Sequence, residues 1–287
     1  MPPRAITAGV PTSARRRPEW VGALVVLSLV SLAAVLAPVL SPYPPDRILD
    51  AVELRRIPPS LAHPLGTDDV GRDLLSRVLH GGRVSLGVAL LATLVATTLG
   101  TAAGTVAGYV GGAADTILMR ALDVLLALPR LLILIAVLAL WPGSSTLTLI
   151  ILVGATSWFP LTRLVRARVR SVSAGDHVAA ARALGAGHLR LVLRHVLPNA
   201  AGTVLVAGTL VAGDVILLEA ALSFLGVGLQ PPDASWGSLV RDGMGSMASA
   251  WWIALFPGLA IAITVTAINM LGDALRDALD PRQLPQP

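Results

Sequence analysis

The stretch Val84-Ser-Leu-Gly-Val-Ala-Leu-Leu-Ala-Thr-Leu-Val-Ala-Thr-Thr-Leu-Gly-Thr-Ala-Ala-Gly-Thr-Val-Ala-Gly108 decides the fold class. It holds 25 residues without a charge or a proline. About 20 apolar residues in a helix cross about 30 Å of hydrocarbon, so this stretch is long enough to span a membrane. Gly100, Gly104 and Gly108 fall on one helix face. Small residues at that spacing let a second helix approach closely. The reading is a membrane bundle or a partner subunit, not an isolated anchor.

Five more apolar stretches flank it. The first, Trp20 to Leu40, has no charge. The third, about Ile117 to Leu140, carries Arg120, Asp123 and Arg130. The fourth is Leu147 to Thr162, the fifth Ala200 to Leu222 with Asp214 and Glu219, and the sixth Trp251 to Leu271. The expectation is an all-α integral membrane protein with six transmembrane helices. Composition agrees: 54% of residues are hydrophobic and 14% charged, against about 25% charged in a typical soluble domain. Mean hydropathy is +0.74.

Composition also excludes chemistry. Without cysteine there are no disulfides, thiolate metal sites or cysteine nucleophiles. All 22 basic residues are Arg, and without lysine there is no Walker-type phosphate loop and no Schiff base. Any ATP that drives this protein is bound by another chain. No catalytic residue, cofactor or metal is expected.

Arg placement sets an orientation. With a cytoplasmic N-terminus, 14 Arg fall on cytoplasmic pieces and 7 on outer pieces, as the positive-inside rule requires. The firmest anchor is Arg163, Arg166, Arg168 and Arg170 after the fourth span. Arg15, Arg16 and Arg17 precede the first span. That span exceeds a signal peptide's apolar core and ends without a small-residue cleavage site, so it reads as an uncleaved anchor. Both termini are expected in the cytoplasm.

The outer segment Ser41 to Arg83 starts with helix-blocking Pro42, Pro44 and Pro45. Thr67 or Asp68 is expected to cap a short helix to about Leu79, with Val70, Leu74 and Val78 on one stripe, lying at the outer interface. His63, Asp68, Asp69 and His80 match no zinc or calcium spacing.

Between spans four and five the chain reads Gly175-Asp-His-Val-Ala-Ala-Ala-Arg-Ala-Leu-Gly-Ala-Gly-His-Leu-Arg-Leu-Val-Leu-Arg-His-Val-Leu-Pro198-Asn199. Asp176 is expected to cap a short helix that Gly185 and Gly187 end. A second helix runs from about His188 and stops before Pro198. The outline is helix-turn-helix. Its first helix offers a DNA groove almost only alanine, so it suits docking into another protein's cleft, and no nucleic-acid partner is expected.

At these residues the chain resembles the integral-membrane permease subunits of bacterial ATP-binding-cassette importers. That family's cytoplasmic signature is Glu-Ala-Ala, three residues, Gly, nine residues, an aliphatic, one residue, Leu-Pro. Ala180, Ala181, Gly185, Leu197 and Pro198 match it. Ala179 stands at the Glu position and His195 at the aliphatic one. Further stretches resemble the dipeptide/oligopeptide/nickel branch and its C-type permease. These are His63-Pro-Leu-Gly-Thr-Asp68 with Gly71-Arg72-Asp73, Glu219-Ala-Ala-Leu-Ser-Phe-Leu-Gly226 with Pro231-Pro232, and the tail Leu271 to Arg282. Together they cover the chain from about His63 to Arg282.

The resemblance implies a type I importer permease fold in the bacterial inner membrane. Residues 1–82 would form the N-tail, first span and external amphipathic segment, and 83–287 a five-span core with a cytoplasmic loop at about 163–199. It also implies a B-type permease partner in a heterodimer, two cytoplasmic ATPase subunits and an external solute-binding protein. Ala179, Ala180, Ala181, Arg182 and Gly185 would belong to a coupling helix docked on an ATPase. The function implied is transport of peptides or related small solutes, with ATP hydrolysed elsewhere.

Arg130, Asp214 and Glu219 fall inside apolar spans, where a charge marks a functional candidate. Asp214 is expected either to face the pathway and meet a peptide's amino group or to pair with Arg130. Glu219 is expected in a structural pairing more than in contact with substrate. A secondary transporter driven by an ion gradient is the alternative, though no internal repeat supports it. A membrane-embedded serine protease would need a His in a span, and all five His lie outside the six.

Overall fold

A computed structural model describes residues 19–140, 145–230 and 233–279. Among them the chain forms eleven α-helices: α1 (Glu19–Val35), α2 (Ala37–Leu40), α3 (Leu74–Val110), α4 (Gly112–Ala127), α5 (Arg130–Leu140), α6 (Thr146–Ser173), α7 (Asp176–Ala183), α8 (His188–Leu191), α9 (Leu197–Phe224), α10 (Trp236–Met244) and α11 (Trp252–Leu279). The Arg cluster at 15–17, Pro231-Pro232 and the tail from Asp280 lie outside the described residues.

Four helical runs are long and apolar enough to cross a membrane: α3, α6, His188–Phe224 and α11. The pair α4–α5 makes a fifth if counted as one span. The third expected span, about Ile117 to Leu140, falls on two helices bent by 80° between α4 and α5. Pro129 is the cause. It forces the preceding Leu128 into extended backbone, φ −89° and ψ 136°. The first stretch is also interrupted. α1 has 17 residues, and Leu36 leaves helical geometry before the four-residue α2, which carries Pro38 in its first turn.

The expected glycine face is a close-packed seam of the bundle. A Cβ on Gly100 would lie 2.7 Å from Leu161 Cδ2, on Gly104 2.8 Å from the Thr162 carbonyl, and on Gly108 2.6 Å from the Arg166 carbonyl. Only hydrogen fits there, so the backbones of α3 and α6 meet nearly in contact. Across the seam α6 answers with Gly154, whose Cβ would meet the Ala92 carbonyl at 2.9 Å. Val88, Leu134, Leu149, Val153, Val215 and Ile216 join α3, α5, α6 and α9 in one apolar core.

The outer segment departs from expectation. No helix begins at Thr67 or Asp68. Asp73 is the cap, accepting from Ser76 N at 2.9 Å, and α3 runs unbroken from Leu74 into the span. Gly81 and Gly82 do not break it, because they make room for α10: a Cβ on Gly82 would strike the Trp236 ring at 2.7 Å. The residues before Leu74 form a clip folded on the bundle rather than an interfacial helix. Asp68 is buried and pairs with Arg72 at 2.7 Å and Arg77 at 2.8 Å. His63 contacts Asp73 at 2.9 Å. Trp252 Nε1 donates to the Thr67 carbonyl at 3.1 Å. Gly66, at φ +80°, passes so close to Ile57 and Trp252 that no side chain fits. The residues weighed as metal ligands are thus held by neighbours, and no metal-binding group appears among the described residues.

Candidate functional site: an exposed helical loop and charges within the apolar helices

α6 continues past the predicted end of its span through Arg163, Arg166, Arg168 and Arg170 to Ser173. Its cationic end is held from the side. Arg163 bonds Asp123 and Arg166 bonds Asp115, both on α4. From there the chain turns into α7.

α7 is shaped by its two ends. Gly175 stands at the N-cap without a side-chain bond, so Asp176 does not cap the helix as expected. Asp176 is instead the first helical residue, where its charge favours the positive end of the helix dipole. At the other end Gly185 takes φ +84°. Gly185 N donates to the Arg182 carbonyl at 3.0 Å, and Ala186 N to the Ala181 carbonyl at 3.1 Å. This pair of bonds is a Schellman turn, which needs a residue in the left-handed region. Gly187 then opens α8.

Pro198 does not stop the second helix. Residues Val192–Val196 make a π-helical turn, and Leu197 N bonds the Val192 carbonyl five residues back. The widened turn places the proline ring in the first turn of α9, where the missing N–H breaks no ladder. α8, the π turn and α9 therefore form one run of 37 residues from His188 to Phe224.

The loop is pinned by one face. Val178, Leu191 and Val196 are fully buried, in a cluster with Val169 of α6 and Ala200 of α9. The other face is free. Ala179, Ala180, Arg182 and Gly185 are exposed, Ala181 is half-buried, and Leu197 and Pro198 lie at the base. Beside them Leu184 is 89% exposed and Leu189 73%. Sequence reading missed these two leucines. Their signal was a large apolar side chain just before Gly185 and another two residues after Gly187, in a stretch otherwise rich in Ala and Arg.

The intramembrane charges divide into two sites. Arg130 opens α5 just after the Pro129 bend. Its Nη1 donates to Asp214 Oδ2 of α9 at 2.6 Å, and its Nη2 to Ser157 Oγ of α6 at 2.8 Å. Of the two expected roles for Asp214, the pairing with Arg130 is observed. Three helices meet in this contact, and it is not sealed: the Asp214 side chain is 60% exposed and that of Arg130 25%. Glu219 is fully buried, toward the end of α9 away from the α7 loop. Its partners are hydroxyls. Ser85 Oγ donates to Oε2 at 3.1 Å and Ser223 Oγ to Oε1 at 2.7 Å. Ser223 lies at helical spacing from Glu219, whereas Ser85 is 134 residues away and no spacing in the sequence pairs it with the acid.

Comparison with known proteins agrees with this arrangement. Residues 84–284 match the family described as binding-protein-dependent transport system inner membrane component. A protein of Brucella suis provisionally named a peptide transport system permease is 45% identical over 93% of this chain and 89% of its own length. The dipeptide transport system permease protein of Bacillus subtilis is 39% identical over 90% of this chain and 80% of its own. The oligopeptide transport system permease protein of Escherichia coli is 42% identical over 91% and 86%. With residues 84–284 matched, more than half of its length, this chain belongs to the family of binding-protein-dependent transport system inner membrane components.

Proposed function

We propose that this chain is a permease subunit of an ATP-driven importer for peptides or related small solutes. It is a transport component, not an enzyme; ATP would be hydrolysed by partner subunits. The observation that carries the reading is the docking loop: a short helix, locked by a glycine turn, with exposed small and apolar residues at the cytoplasmic end. The relatives named for dipeptide and oligopeptide transport support the substrate class. No observation favours the ion-gradient alternative.

In this reading the chain is half of a gate. It pairs with a related B-type permease, two ATPases dock on the cytoplasmic loops, and a solute-binding protein meets the outer face. The chain lies in the bacterial inner membrane with both termini in the cytoplasm. Six spans follow if α1 with α2 crosses as one and α4 with α5 as another. The family match beginning at residue 84 supports a core of 83–287 preceded by an accessory part, 1–82. Docking at Ala179, where the family has Glu, relies on shape, backbone and Arg182.

Closure of the ATPases would carry α7 as a rigid element and tilt the attached helices. Reversing a 1:99 population needs about 5.5 kcal/mol of differential binding, supplied jointly by nucleotide and partners. Arg130 and Asp214 are the proposed pathway charges. The test is purification of the tagged chain from its native membrane in mild detergent. A second permease and two ATPases in fixed proportion are expected. A lone, folded, monodisperse chain would overturn the proposal.

A further inference from the structure

At its outer end α9 is joined to two other elements through one acid. Ser85 Oγ of α3 donates to Glu219 and accepts from Trp236 N, the first N–H of α10, at 3.2 Å. Ser223 Oγ donates to Glu219 and accepts from Leu229 N at 3.3 Å. The carboxylate thus orders two hydroxyls, and each hydroxyl holds a backbone N–H of the segment leading to α10. Reversing either hydroxyl would leave that N–H without its acceptor in a buried place, which is unfavourable.

Packing around this junction is equally close. A Cβ on Gly237 would lie 2.4 Å from the Ala220 carbonyl, so α10 rests against α9 backbone to backbone. Trp236 Nε1 donates to the Val78 carbonyl of α3 at 3.0 Å, with its ring over Gly82. Toward the far end of α10, Asp242 pairs with Arg77 at 3.4 Å, and a Cβ on Gly243 would lie 2.6 Å from Ala254 N, so this end rests on α11. There Arg77, Arg241 and Asp242 border an outer cleft of about 550 Å³.

The same α9 is continuous at its other end with α8 and the docking loop. A run of 37 residues is about 55 Å long at 1.5 Å per residue, enough to link the two faces of the membrane. We infer that Glu219 is a positioning residue: it fastens α10 to α9 and α3, so that displacement delivered to α7 at the cytoplasmic face is transmitted to the outer cleft. This rests on the importer reading above. The acid contacts no solute; it acts through Ser85, Ser223 and the first N–H of α10.

The test uses the assembled transporter in lipid nanodiscs. The chain has no cysteine, so Met244→Cys, at the exposed end of α10, supplies a unique spin-label site in it. In Glu219→Ala the complex is expected to assemble and to hydrolyse ATP within about twofold of the parent. Solute imported per ATP should fall at least tenfold, and the label should become more mobile. Glu219→Gln, which keeps an acceptor oxygen, should recover part of both. A purely structural role would instead lower assembly and hydrolysis together. If Glu219→Ala does not assemble, Ser85→Ala decides, since it removes the relay and leaves the acid. Parent-like import per ATP and label mobility in the variant that assembles overturn the inference. A parent complex that shows no ATP-driven uptake would instead overturn the importer reading, while label mobility still reports on Glu219.

Discussion

Gly104 and Gly87 lie in the same helix, α3, yet alanine should have opposite effects at the two positions, and this contrast tests the α3–α6 seam. A Cβ on Gly104 would be 2.8 Å from the Thr162 carbonyl and from Val165 Cβ. Ordinary contact begins near 3.4 Å, so the two backbones must part by about 0.6 Å. A gap of that size forfeits about a quarter to a half of the dispersion energy of each separated contact. Overpacking of this kind costs about 1–3 kcal/mol. A Cβ on Gly87 meets nothing within 4 Å. There alanine only removes backbone freedom from the unfolded chain, worth about 0.4–1 kcal/mol in favour of folding. Thermal unfolding of the purified protein in mild detergent, followed by tryptophan fluorescence, measures both. At about 2–4 °C per kcal/mol, Gly104→Ala should lower Tm by several degrees and Gly87→Ala should leave it level or raise it. Equal Tm changes at the two positions would refute the close-contact reasoning.

Asp214→Asn should reduce uptake while the protein stays folded, and exchanging the charges with Arg130→Asp and Asp214→Arg should recover part of the loss; unchanged uptake in Asp214→Asn would reject a pathway role. Gly185→Leu places a side chain at φ +84° in an exposed turn, a strain of about 1–2 kcal/mol that leaves the spans intact. Its expected phenotype is ATP hydrolysis without uptake, read by assaying both in proteoliposomes, and normal uptake would sink the coupling role of the loop. Leu184→Glu with Leu189→Glu should cut co-purification of the ATPases about tenfold, because two side chains 89% and 73% exposed in this chain would be buried in the complex. Asp73→Ala removes the cap of α3 and the partner of His63, and should lower stability by about 1–2 kcal/mol in a thermal scan.

Hydropathy located the four long apolar helical runs, because about 20 apolar residues in a row are long enough to cross a membrane. Glycine spacing located the α3–α6 seam, and glycine itself the break at Gly185. These are local properties: a four-residue spacing is a helix face, and a left-handed turn is a property of the residue that adopts it. Proline was harder to read. Pro129 bends a span that hydropathy drew as one stretch, whereas Pro198 stops nothing, because a π turn absorbs it. Both outcomes depend on whether neighbouring helices satisfy the backbone around the ring. The outer segment was legible as polar and proline-rich, but not as a clip. Its pattern Val70, Leu74, Val78 fits an interfacial helix, and only the burial of Thr67, Asp68 and Asp73 against α3 and α11 shows that the chain instead closes on itself. The charges make the same point. Their presence in apolar spans was visible from the chain. That Arg130 meets Asp214, 84 residues away, and that Glu219 meets Ser85, 134 residues away, was decided by helix packing, because a buried polar group takes whichever partner the fold brings within reach.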